Sequence, residues 1–151
     1  MRLKIYNIMV VAMFLTTWQL GYADTCGLLT EGEVEEITGQ KVDSVGVQSG
    51  YGNCIYYRNV NIFGQIMKAP LVTVGYTRSD VQSRWDYWNS RPDKEVIPGL
   101  GDEAVWSPGG AFLVCRVKGG LLMIMIWGEV GDGSKKDMAV QLAKKAITRI
   151  K

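Results

Sequence analysis

An α+β fold, an antiparallel sheet packed on one face by helices, is predicted by three observations on this chain. Capped helix starts fall near residues 31, 80 and 135. The segments between them are extended, with alternating or continuously apolar residues punctuated by glycine and asparagine. The resulting order is helix, three strands, helix, three strands, helix. Its helix starts lie about 50 residues apart, which points to a duplicated α-β-β-β unit followed by a C-terminal helix.

The chain opens with a segment outside that pattern. Arg2 and Lys4 precede a mostly apolar stretch from Ile5 to Trp18, and Gly21-Tyr22-Ala23 supplies the small residues that a signal peptidase reads. Residues 1–23 are therefore expected to be a signal peptide cleaved before Asp24, leaving 24–151 as one α+β domain. As a retained anchor the apolar stretch is too short: its 14 residues would reach roughly 21 Å as helix, against about 30 Å of hydrocarbon. A periplasmic or secreted protein with no stable membrane span after cleavage is the expectation.

The first helix is placed at residues 31–38 by Thr30 and Glu33, which form a capping box, by Leu29 and Val34 at the staple positions, and by Gly39 at the stop. Strands are expected over Val42 to Gln48, Asn53 to Arg58 and Leu71 to Thr77. Asn61 to Met67, which joins the last two, is either part of a longer hairpin or a loop that closes over a ligand or partner. Ser79 and Gln82 repeat the box before a second helix, on which Val81, Trp85 and Trp88 share a face and which ends at Arg91-Pro92.

The second half repeats the pattern with Ala104 to Trp106, Ala111 to Lys118 and Leu121 to Trp127. Gly119-Gly120 is expected to form a two-residue hairpin turn. The run Leu121 to Trp127 does not alternate, so it should be a strand covered on both faces or one whose second face meets a partner. Ser134 and Asp137 start the last helix, with Met138, Leu142, Ala146, Ile147 and Ile150 toward the core.

Charge is balanced after cleavage. The signal holds two of the 17 basic residues and none of the 15 acidic ones, so the domain is neutral and lacks the basic face that nucleic acid requires. The charges are nevertheless polarised, acidic over residues 24–43 and basic over 133–151. This describes two solvated helix faces, or a basic helix that docks on an anionic surface.

Three cysteines follow the signal: Cys26, Cys54 and Cys115. In an oxidising compartment a pair is expected to close, and a Cys26–Cys54 bond would tie down the new N-terminus. Cys115 shares a strand face with Leu113 and Val117 and reads as a buried, inert thiol.

Cys26-Gly27-Leu28-Leu29-Thr30 with Glu33-Val34 and Gly39, then Cys54-Ile55-Tyr56, then Gly99-Leu100-Gly101-Asp102-Glu103-Ala104-Val105-Trp106, resembles a group of exported bacterial domains. These are small lipoproteins and extracytoplasmic sensor-like domains of unknown function. The resemblance spans nearly all of the chain after the signal and implies that the first two cysteines pair. The leader departs from the group, because Asp24-Thr25 rather than a small residue precedes Cys26, so lipid attachment there is not expected.

The chain has no histidine, which removes serine-histidine-acid and cysteine-histidine catalysis and histidine-containing metal sites. No cofactor and no metal site are expected. Asp102 and Glu103 are the best carboxylate pair, but sequence neighbours on an extended segment point opposite ways, and Asp132-Gly133-Ser134 reads as a turn. Aromatic residues offer the more promising surface: Tyr51, Tyr57 with Arg58, and Arg84 with Tyr87 form candidate binding residues. The expected function is a small exported binding or interaction module, not an enzyme, that engages a protein or an envelope ligand. The alternative is an inhibitor or accessory subunit of a secreted or periplasmic enzyme.

Overall fold

In a computed structural model the described residues are 25–130 and 134–151. The expected signal peptide lies outside them, as do Asp132 and Gly133 of the expected turn before the last helix.

The first helix, α1 (Glu31–Thr38), forms as its caps dictate. Thr30 Oγ1 accepts from the Glu33 amide at 3.3 Å, the Glu33 carboxylate accepts from the Thr30 amide at 2.9 Å, and Gly39 ends the helix at φ 65°. The staple residues Leu29 and Val34 are both buried. The last helix, α3 (Lys135–Ile147), is capped by Ser134, whose Oγ accepts from the Asp137 amide at 3.1 Å. It buries Met138, Ala139, Leu142, Ala143 and Ala146.

The second helix, α2 (Val81–Asn89), exists where expected but starts differently. Asp80 is its N-cap, at φ 52° and with no side-chain capping bond, so Ser79 sits one residue too early to close the box with Gln82. Instead the Ser79 amide donates to Thr77 Oγ1, and the Gln82 side chain donates to Asp86.

Seven strands build one antiparallel sheet: β1 (Ser44–Val47), β2 (Cys54–Ile62), β3 (Gln65–Thr77), β4 (Glu95–Val96), β5 (Glu103–Ser107), β6 (Phe112–Val117) and β7 (Gly120–Ile126). The six expected strands are present; β4 adds a two-residue edge beside β5. The order β1-β2-β3-β7-β6-β5-β4 makes the two groups of three meet symmetrically at β3 and β7. A two-fold axis through the sheet relates such antiparallel neighbours while keeping each face on its own side.

The helices do not obey that axis. Strand residues alternate between faces, and on β7 Leu122, Ile124 and Ile126 pack with α1 and α3, whereas Leu121 and Met123 pack with Trp85 of α2. Helices therefore lie on both faces rather than one, and the apolar run beginning at Leu121 is covered from both sides at its first residues.

Two turns refine the sequence reading. The β6–β7 hairpin turns on Lys118 (φ 49°) and Gly119 (φ 73°), one residue earlier than Gly119-Gly120. Gly120 is already paired with Val117, and its missing Cβ leaves room for the Tyr76 ring, which would stand 2.5 Å from it. Asn61 to Met67 is part of a longer hairpin, with β2 and β3 paired up to Ile62↔Gln65 and turning at Phe63 (φ 50°) and Gly64 (φ 82°).

Both ends of the described fold are fixed to the sheet. Cys26 and Cys54 form the disulfide, closing a separation of 28 residues, and Tyr56 Oη donates to the Leu29 carbonyl at 2.7 Å. The oppositely charged chain ends also meet. Arg149 grips both oxygens of Glu33 at 2.8 Å and donates to the Leu28 carbonyl at 2.9 Å. Glu33 is thereby held down to about 2, first by the Arg149 hydrogen bonds and next by the Thr30 amide, against a desolvation that pushes it up.

Candidate functional site

Helix α2 covers only the β5–β6–β7 side of its face, through the cluster of Trp85, Val105, Val114 and Leu121. Beyond it, the same face of β7, β3, β2 and β1 carries no helix. Pairing registers align one cross-strand row there: Phe112 opposite Met125, Met125 opposite Thr73, Thr73 opposite Ile55, and Ile55 opposite Gly46. Met125, Thr73 and Ile55 are half-buried in the isolated chain.

Aromatic side chains extend that row at both ends. Trp88 stacks on Phe112 with ring centroids 4.9 Å apart, and Tyr87 meets Trp88 edge-on at 5.1 Å. At the other end Tyr57, two residues beyond Ile55, lies against Gly46 with its ring 3.4 Å from where a Cβ would stand. Trp127 is 40% exposed, and its indole N–H donates to Thr73 Oγ1 at 2.9 Å, which fixes the ring on the sheet. Because Gly46 and Gly75 project nothing, the surface is shallow; the Asn53 side-chain amide lies over Gly75.

The five residues expected at a binding site do not all reach this surface. Tyr57 and Tyr87 stand at its two ends, and Arg84 is exposed on α2 three residues before Tyr87. Arg58 follows Tyr57 in the strand and so faces the other side, where it donates to Gln40 at 3.0 Å. Tyr51 is 69% exposed in the β1–β2 turn. Tyr57 and Arg58 therefore do not form one patch. Thr73 and Phe112 were not singled out by sequence as binding residues, whereas Met125 and Trp127 belong to the run Leu121 to Trp127 whose second face was one candidate for meeting a partner. The available signal was the i, i+2 spacing of Met123, Met125 and Trp127.

The neighbouring Asp102 and Glu103 are not a convergent carboxylate pair. Glu103 pairs with Arg116 at 3.0 Å, and the Asp102 amide donates to the Arg116 carbonyl. Cys115 is fully buried, and burial followed by the Asp102 charge pushes its thiol up to about 12. Gly101 (φ 61°) lets that loop close on β6: a Cβ there would lie 2.4 Å from Cys115 Sγ and 2.5 Å from the Arg116 carbonyl.

A cleft of about 880 Å³ adjoins this face between the Pro108–Gly110 turn, the end of β7 and the first turn of α3, and Met125 and Trp127 line it as well. The Lys136–Glu95 ion pair, at 2.7 Å, spans part of its rim. Among the described residues, no three of His, Cys, Asp and Glu converge as metal ligands, and no helix is long and apolar enough to cross a membrane. What the half-face offers is recognition by shape and by aromatic and thioether contact.

Comparison with known protein families, with curated proteins and with solved structures finds no match.

Proposed function

We propose that the protein is an exported interaction module whose partner is a protein that covers the open half-face running from Tyr87 to Tyr57. The observation that carries this reading is the row Met125, Thr73 and Ile55, which continues from Phe112 under Trp88 of α2, is flanked by Trp127 and is itself left without a helix. Aromatic residues and methionine are the types enriched at the centres of protein interfaces, and methionine adapts to an irregular partner surface. A small ligand would favour a concave pocket; the cleft that Met125 and Trp127 help to line lies at one end of the row, and from Thr73 to Gly46 the row is shallow.

Export is supported by the basic and apolar leader, by the resemblance to extracytoplasmic domains, and by the Cys26–Cys54 bond, which belongs to an oxidising compartment. A flat face serves equally for seating on a secreted enzyme as inhibitor or accessory subunit, and the identity of the partner separates that second reading from the first.

The test is affinity capture from envelope extract with the oxidised protein and with an Ile55→Lys/Met125→Lys variant. A component retained by the parent and lost by the variant, with both melting cooperatively, is the expected result. Equal retention by the two proteins refutes the surface.

A further inference from the structure

The β2–β3 hairpin runs past the rest of the sheet. Pairing with β1 ends at Tyr57 and pairing with β7 ends at Val72, so residues 58–70 form a two-stranded ribbon with no strand on either side. Such a ribbon is only marginally stable by itself in water.

Its tip carries apolar residues on both faces, beside exposed Asn61 and Gln65. Register places Ile62 and Met67 on one face and Ile66 on the other, with Phe63 at the apex. They are 45%, 50%, 75% and 102% exposed respectively.

The apex also opposes local preference. Phe63 (φ 50°) and Gly64 (φ 82°) are the central pair of the turn, and the first such position favours asparagine, aspartate or glycine, not a bulky aromatic. Phenylalanine there is both strained and fully solvated, and no contact within the fold compensates for it.

Charge completes the pattern. No Asp or Glu occurs between Asp43 and Asp80, exposed Lys68 lies on the ribbon, and Asp43, which accepts from the Asn59 amide at the ribbon's base, is paired with Lys41. Four residues of strand separate Lys68 from the apex, roughly 13 Å, so its ammonium reaches the headgroup level when the tip sits about 5–10 Å deep. A protein groove would grip one face of the ribbon, whereas a lipid interface surrounds the tip as its apolar residues do.

We propose that the β2–β3 hairpin is a membrane-contact arm that inserts Phe63, Ile62, Ile66 and Met67 into the interface of an anionic phospholipid bilayer, with Lys68 at the phosphates. This inference is independent of the partner bound by the open half-face.

The experiment is co-sedimentation of the exported, naturally processed protein with phosphatidylglycerol-containing and with pure phosphatidylcholine vesicles. Phe63→Asn and Lys68→Glu are measured beside the parent protein. Salt-sensitive binding to the anionic vesicles is expected. It should weaken at least tenfold in Phe63→Asn, while that variant, which suits the turn, melts at or above the parent temperature. Lys68→Glu should erase the preference for anionic lipid. Absence of parent binding, or binding unchanged in Phe63→Asn, overturns the proposal. So does sedimentation equilibrium in which Phe63→Asn abolishes self-association while vesicle binding persists, because the arm would then contact a second copy.

Discussion

Replacing Arg149 with methionine tests how the acidic start and the basic end of the domain are joined. Its guanidinium holds both Glu33 oxygens and the Leu28 carbonyl. The fall of the Glu33 pKa from 4.5 to about 2 corresponds to about 3 kcal/mol if fully expressed. The Arg149 side chain is 37% exposed, so solvent screening reduces the share from the ion pair to about 1–2 kcal/mol. Loss of the Leu28 bond adds about 1 kcal/mol that does not depend on the carboxylate.

The pH dependence follows from the sign of the shift. A carboxylate lowered in the folded state contributes its full stability above the unfolded value of 4.5 and loses it as pH falls through about 2. Urea denaturation followed by tryptophan emission, at steps from pH 7 to pH 2.5, should show the parent more stable than Arg149→Met by about 2–3 kcal/mol at neutral pH. That difference should narrow by about 1–2 kcal/mol toward pH 2.5. A difference that stays constant across this range, or none at pH 7, refutes the reasoning.

Replacing Cys26 and Cys54 together with serine should lower stability by about 3.5 kcal/mol on the loop-entropy model, read as a shift in urea midpoint with the folded circular dichroism spectrum retained. Gly101→Ala should cost about 2–4 kcal/mol from positive φ and overpacking, and Cys115→Ala should not rescue it, because the Arg116 carbonyl still stands 2.5 Å from the new Cβ; a double-mutant cycle measures this. Cys115 should resist iodoacetamide at pH 8 until denaturant is added, as mass spectrometry would record.

The parts of this fold that were legible in the sequence are those fixed by local chemistry. Thr30, Glu33 and Gly39 define α1 because caps act within one turn, and Ser134 does the same for α3. Where tertiary packing decides, the local reading slipped. Gly120 was available for a turn on propensity alone, but the Tyr76 ring claims the space its Cβ would fill, and the turn moves to Lys118 and Gly119. Asp80 adopts positive φ and displaces the cap expected at Ser79.

The open half-face was the least visible feature, for a topological reason. Ile55, Thr73, Phe112 and Met125 come from four strands and become neighbours only through register. Tyr57 and Tyr87 were legible as amphipathic aromatics, yet which strand lay between them was not. The continuous run Leu121 to Trp127 suggested either two covered faces or one that meets a partner, and both hold in part: its first residues are buried on both faces and one side opens only near its end, at Met125 and Trp127.

Oxidative footprinting in envelope extract measures the interaction surface most directly, since methionines mark both regions of interest. Dilute peroxide followed by peptide mass spectrometry compares the exported protein in buffer with the same protein in extract. Protection of Met125, with Trp127 protected in a parallel hydroxyl-radical experiment, is the result predicted for a partner seated on the half-face between Tyr87 and Tyr57. Equal oxidation of Met125 and Trp127 in buffer and in extract would contradict it.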